Sequence, residues 1–172
     1  MPVDRGERYE DPLSEVLEKE GVAEVTGGGT MQASNGEIEY CGIDLVLHDV
    51  DRAVPIVCEV LSELGAPKGS ALEYSIGKKR VSVPFGILEG LAIYLNGTDL
   101  PKEVYETSDI NAIYADIERL LGERGDIQGH WQGPTETALY LYGYSVTEMK
   151  KLLAAYMAKT PLCARARLVK IA

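Results

Sequence analysis

Apolar positions along this chain switch repeatedly between the three-to-four spacing of a helix and the two-residue spacing of a strand, and the switches mark out the elements. Leu13, Val16 and Leu17 line one face of a short helix. Asp11 is a favoured N-cap for it, Pro12 suits its first position and Gly21 ends it. Ala23-Glu24-Val25-Thr26 reads as a strand running into Gly27-Gly28-Gly29, with a turn at Ser34-Asn35-Gly36. From Glu37 to Leu47 the residues alternate: Cys41, Ile43, Leu45 and Leu47 point one way, and Tyr40, Gly42, Asp44 and His48 the other. Asp49 or Asp51 can cap the next helix, whose Val54, Val57, Cys58, Leu61 and Leu64 recur at helical spacing until Gly65 and Pro67.

Leu72 to Ile76 makes a short strand, the basic run Lys78-Lys79-Arg80 a turn, and Val81 to Phe85 an edge strand that tolerates Pro84. Leu91 to Leu95 is a further strand. A helix then starts at Ser108-Asp109, with Ile110, Ile113, Ile117, Leu120 and Leu121 on its apolar side, and ends near Gly122 or Gly125. Asp126 to Gln132 pairs with Thr135 to Tyr144 across Gly133-Pro134, and Ser145-x-x-Glu148 forms a capping box. Ala164 to Ile171 alternates as the last strand.

This order predicts an α+β protein of two ferredoxin-like modules, αββαβ over residues 11–80 and βαββαβ over 81–172. Each is expected as an antiparallel sheet covered by helices on one face, the two standing apart or packed as one compact domain. The first module lacks its opening strand, which Val81 to Phe85 is placed to supply. The halves also correspond residue by residue over about 60 positions, Glu24-Val25-Thr26-Gly27 matching Asp126-Ile127-Gln128-Gly129, and this is the mark of internal duplication.

Composition narrows the function classes. The 172 residues are 45% hydrophobic and 26% charged, as in folded domains rather than disordered chains. A formal net charge of −10 repels nucleic acid and anionic lipid, so neither is an expected partner, whereas a basic protein partner or a small-molecule ligand fits that field. Cys41, Cys58 and Cys163 are odd in number and widely spaced, which argues against a disulfide framework or a metal knuckle and for a reducing compartment. Met1 to Glu10 has no apolar core of signal-peptide length, and a cytoplasmic location is expected.

Candidate binding residues fall into two groups. On one strand face Tyr40, Asp44 and His48 stand together, and Asp44 with His48 is the nearest approach to an acid–base pair. Four residues of extended chain hold these two ~13 Å apart, no nucleophile accompanies them, and no catalytic residue, metal or cofactor is expected. In the second half His130 and Trp131 take the place of Gly28 and Gly29, and Tyr140, Tyr142 and Tyr144 share one side of a strand, the open side of the expected sheet. Ten Tyr against one Phe suggests rings with one wet edge, as at interfaces. The plain alternatives are internal packing for the tyrosines and for Trp131, and close backbone approach for the glycine run, which lacks the following helix of a phosphate loop.

The stretch Asp11 to Ser70, with its helix, Glu24-Val25-Thr26-Gly27-Gly28-Gly29, the strand to Asp44 and Leu64-Gly65-Ala66-Pro67-Lys68-Gly69-Ser70, resembles small uncharacterised bacterial proteins. Some of those resemble immunity factors of toxin systems. The resemblance covers about a third of the chain and transfers no residue role. Acidity, the tyrosine excess and the absence of a catalytic constellation point to a non-enzymatic, acidic protein that binds a basic partner, and the resemblance adds the expectation that it is of immunity-like type. A small-molecule binder or enzyme, with a site between the two sheets formed by His130, Trp131, Tyr140 and Tyr142, is the alternative, and a homodimer through sheet edges is a third reading.

Overall fold

The structure is a computed structural model and describes residues 5–172; the first four residues of the N-terminal reading lie outside the described part. It is a mixed α+β protein with antiparallel sheets, and the chain divides into two compact units, residues 1–87 and 88–172. The boundary read from the sequence at 80/81 falls at 87/88 instead, because the strand Lys79–Phe85 pairs with the strand before it.

In the first unit a wide π-type turn, Gly6–Glu10, runs directly into helix α1, Asp11–Glu20. Asp11 is therefore not an N-cap: the residue before it, Glu10, is already helical, so Asp11 continues a helix that began upstream. Gly21 closes α1 in the left-handed region at φ 65°, its N–H on the Leu17 carbonyl. Strands β1, Ala23–Gln32, and β2, Ile38–Leu47, form an antiparallel ribbon that continues straight through the glycine run. Helix α2, Val50–Glu63, is capped by Asp49, not Asp51: its carboxylate accepts the Arg52 N–H at 3.2 Å. Strands β3, Ser70–Ile76, and β4, Lys79–Phe85, make a second, separate two-stranded ribbon. The core joins Leu13 and Leu17 of α1, Val22 and Ala23, and Ala53, Val57 and Leu61 of α2, with Val25, Ile43, Leu45, Leu47, Leu72 and Phe85 half-buried against it.

The second unit runs β5, Glu89–Asn96; α3, Lys102–Thr107; α4, Ile110–Leu121; β6, Gly125–Gln132; β7, Glu136–Gly143; α5, Val146–Met157; and β8, Arg167–Lys170. Helix α3 has no counterpart in the sequence reading, and β8 is shorter than the span from Ala164 to Ile171, whose start follows a 3-10 turn at Pro161–Cys163. The sheet order is β6-β7-β5-β8, antiparallel throughout. Its inner face, Leu91, Ile93, Leu95, Ile127, Leu139 and Leu141, packs with Ile113, Ile117 and Leu121 of α4 and Met149 and Leu153 of α5. Asp109 and Ser145 cap the two helices through the Asn111 and Glu148 N–H groups. Glu89 adds a carboxylate at the start of α5, accepting the Val146 N–H at 2.8 Å.

Candidate functional site

The inward side of the β1–β2 ribbon is fixed by its apolar residues, which leaves the alternate residues facing outward. Register brings them together: Tyr40 lies opposite Met31, Gly42 opposite Gly29, Asp44 opposite Gly27 and Val46 opposite Glu24. A β-bulge at Thr26 restores this pairing, since without the extra residue Gly27 and Gly29 would turn to the inner face. Tyr40 is 60% exposed, Met31 47% and Val46 44%. Gly27, Gly29 and Gly42 form a bare floor between them, with no atom within 4 Å of where a side chain would begin. His48 follows the strand and is exposed, its N–H on the Val22 carbonyl at 2.9 Å. Asp44 is also exposed, and its carbonyl accepts the Thr26 hydroxyl at 3.2 Å. Tyr40, Asp44 and His48 thus share one side of the strand.

The middle glycine has a different task. Gly28 turns inward, and a β-carbon there would stand 2.5 Å from the Gly42 carbonyl and 2.8 Å from the Glu10 carboxylate. The space belongs to an ion pair between Arg5 and Glu10, whose side chains are each only 20% exposed, and Arg5 also reaches the Thr30 hydroxyl at 3.5 Å. The glycine run is a seat for the N-terminal turn rather than an anion cradle.

In the second unit a bulge stands at the equivalent place, between Ile127 and Gly129. Its effect is to shift the alternation by one: Ile127 pairs with Leu141 on the helix-covered face, Gly129 with Tyr140 on the other, His130 with Leu139 and Trp131 with Ala138. His130 and Trp131, as neighbours in a strand, lie on opposite faces, and the bulge puts Trp131 on the tyrosine side. The Trp131 ring folds over Gly133 of its own hairpin, where any β-carbon would collide with it. Tyr140 and Tyr142 are buried, at 4% and 8% exposure, and the Tyr142 ring lies across Gly90 of the neighbouring strand. Tyr144 stands beyond the end of β7 and is 67% exposed. The tyrosine spacing is as the sequence has it, but Tyr140 and Tyr142 do not form an open surface.

Charged groups elsewhere serve the fold. Arg167 forks onto Glu136 at 2.9 and 2.7 Å and lies over the Tyr94 ring, 4.4 Å from its centre; the guanidinium holds the Glu136 carboxyl below its ordinary range. Arg119, bonded at 2.8 Å, does the same for Asp116, aided by the Tyr156 hydroxyl. Burial raises Tyr156, and burial also pushes the Cys58 and Cys163 thiols up, the reverse of an activated nucleophile. Among the described residues no three His, Cys, Asp or Glu side chains gather as metal ligands, and no helix is long and apolar enough to cross a membrane. A shallow hollow of about 250 Å³ on the β3–β4 ribbon, between Glu73 and Ser82, is small for a ligand site.

Sequence reasoning missed Glu24, Met31 and Val46 as members of the outward face. Cross-strand register was the signal needed, and the bulge hides it. Compared with protein families, with curated proteins and with solved structures, the chain finds no match in any of the three.

Proposed function

We propose that this chain is a non-enzymatic binding protein of immunity-like type, built from two related ferredoxin-like modules, which receives a basic partner protein on the outward face of the β1–β2 ribbon. The observation that carries this reading is the exposed group of Tyr40, Met31 and Val46 around an uncovered glycine floor, with Glu24 and Asp44 on the same face. Apolar side chains gathered on a sheet face beside carboxylates suit a partner that buries rings and supplies cations. The net charge of −10 favours fast encounter with such a partner. The module reading draws on the antiparallel order β6-β7-β5-β8 and on the matching bulges and caps of the two units.

Affinity capture from an extract of the native cell tests this, with wild-type and Tyr40→Ala/Asp44→Lys chains side by side at low and high salt. A protein with an excess of Lys and Arg should be retained by the wild type, released by salt, and bound about tenfold more weakly or worse by the double variant once purified. Capture that the substitutions leave unchanged, or an acidic captured protein, would overturn the assignment.

A further inference from the structure

We propose that the free edge of β2 is a strand-addition site for an extended, cationic segment of the partner. The proposal rests on the binding role given above and names how the partner would be held. In the second unit β7, the counterpart of β2, has strands on both sides, β6 and β5; among the described residues β2 has β1 alone. The groups left over can be named. His48 N–H and the Asp44 carbonyl both turn toward β1, so antiparallel alternation places the N–H and C=O of Cys41, Ile43, Leu45 and Leu47 on the far edge.

Exposed edges are normally blunted, and this protein blunts others. Strand β4 begins Lys79-Arg80 and carries Pro84, which has no N–H to offer; β8 has four residues, two of them Arg167 and Lys170. Strand β2 is ten residues long with no Lys, Arg or Pro. Its inner side is also incompletely covered: Ile43, Leu45 and Leu47 are half-buried, whereas the corresponding Leu139, Leu141 and Gly143 are buried beside β5. A strand laid along β2 would satisfy the backbone groups and cover that apolar row together.

Charge selects the occupant. Glu39 and Asp44 lie on β2 itself and Glu24 across the ribbon, all exposed, so basic side chains on the incoming strand are favoured. A second copy of this chain would bring its own β2 carboxylates and a like charge of −10.

The probe is an eight-residue peptide of alternating Val and Lys, matching the span of β5, added to the full chain and followed by residue-resolved amide hydrogen exchange. At ten times its Kd the peptide should slow exchange at Cys41, Ile43, Leu45 and Leu47 by about tenfold, leave Gly42, Asp44 and Val46 little changed, and lose affinity as salt rises. Cys41→Pro, which removes an outward donor at an exposed position, should weaken binding while Cys41→Ser does not. Unmoved edge amides, or equal binding of a Val-Glu peptide, would overturn the proposal. So would edge amides already protected without peptide: in a dilution-dependent way if a second copy sits there, at every dilution if the chain satisfies the edge itself. If binding is lost in Tyr40→Ala/Asp44→Lys but the edge amides never respond, the outward-face reading stands and the strand addition fails.

Discussion

The two units use the same pieces and finish them differently. Each has a helix ending at a glycine, a ribbon bulged at the same place, and a helix capped by the residue two beyond the strand, Asp49 in one and Ser145 in the other. In the second unit β5 stands between β7 and β8 and ties them into one sheet; in the first, β1–β2 and β3–β4 remain separate ribbons over a shared core. Among the described residues the buried cluster of the second unit holds 14 side chains, all Leu, Ile or Met but Val146 and Cys163, against 8 in the first, three of them Ala. The central strand therefore sets how deeply the inner face is buried. The unit without one keeps its ribbon side chains half in water, with an edge free for other work.

The largest test of that contrast is a pair of matched truncations. Leu141→Ala should cost about 2–5 kcal/mol, because Leu141 is completely buried in a closed core. Leu45→Ala, at the equivalent half-buried position, should cost clearly less, read from denaturant-dependent amide exchange in each unit. Equal losses would mean the two cores are alike and break the comparison.

Next comes the glycine run. Gly28→Ala should destabilise the first unit by about 1–3 kcal/mol, since the added carbon must displace the Gly42 carbonyl or the Arg5–Glu10 pair. Gly29→Ala has open space and should be nearly neutral; thermal melts of the two variants decide it. Removing the caps, Asp49→Ala or Ser145→Ala, should cost about 1 kcal/mol each. Closely similar losses would sharpen the equivalence of the helices, and a silent cap in either unit would weaken it.

The smallest effect belongs to the exposed fork of Arg167 and Glu136. Arg167→Ala should cost about 0.2–1 kcal/mol at neutral pH. Because the folded-state pKa of Glu136 is depressed, its contribution is present above the ordinary glutamate range near ~4.3 and is lost as pH falls through the lower, folded value. Wild type and variant should therefore converge in stability in acid. A difference that persists there would assign Arg167 a packing role on Tyr94 instead.

Local chemistry was the readable part of the sequence. Asp49, Asp109, Ser145 and Gly21 mark their helix ends in the structure because capping involves residues within a few positions of one another. Asp11 misled because the turn ahead of it, Gly6–Glu10, carries no apolar periodicity and yet continues into the helix. The bulges at Thr26 and Gln128 were invisible for a related reason: an unpaired residue is defined only by the partner strand, so alternation could separate His130 from Trp131 but not say which of them shares the tyrosine face. Spacing placed Tyr140 and Tyr142 together correctly, but their burial depends on non-local packing that no spacing encodes.

Trp131, the one tryptophan in the chain, stacks on Gly133 at the tip of a hairpin in the second unit. Intrinsic indole emission is therefore a local witness, reporting that turn. An unfolding curve recorded by indole fluorescence alone follows one hairpin of the second unit. Far-UV dichroism, which draws on helices of both units, should be recorded beside it, and any gap between the two curves would measure how independently the halves come apart.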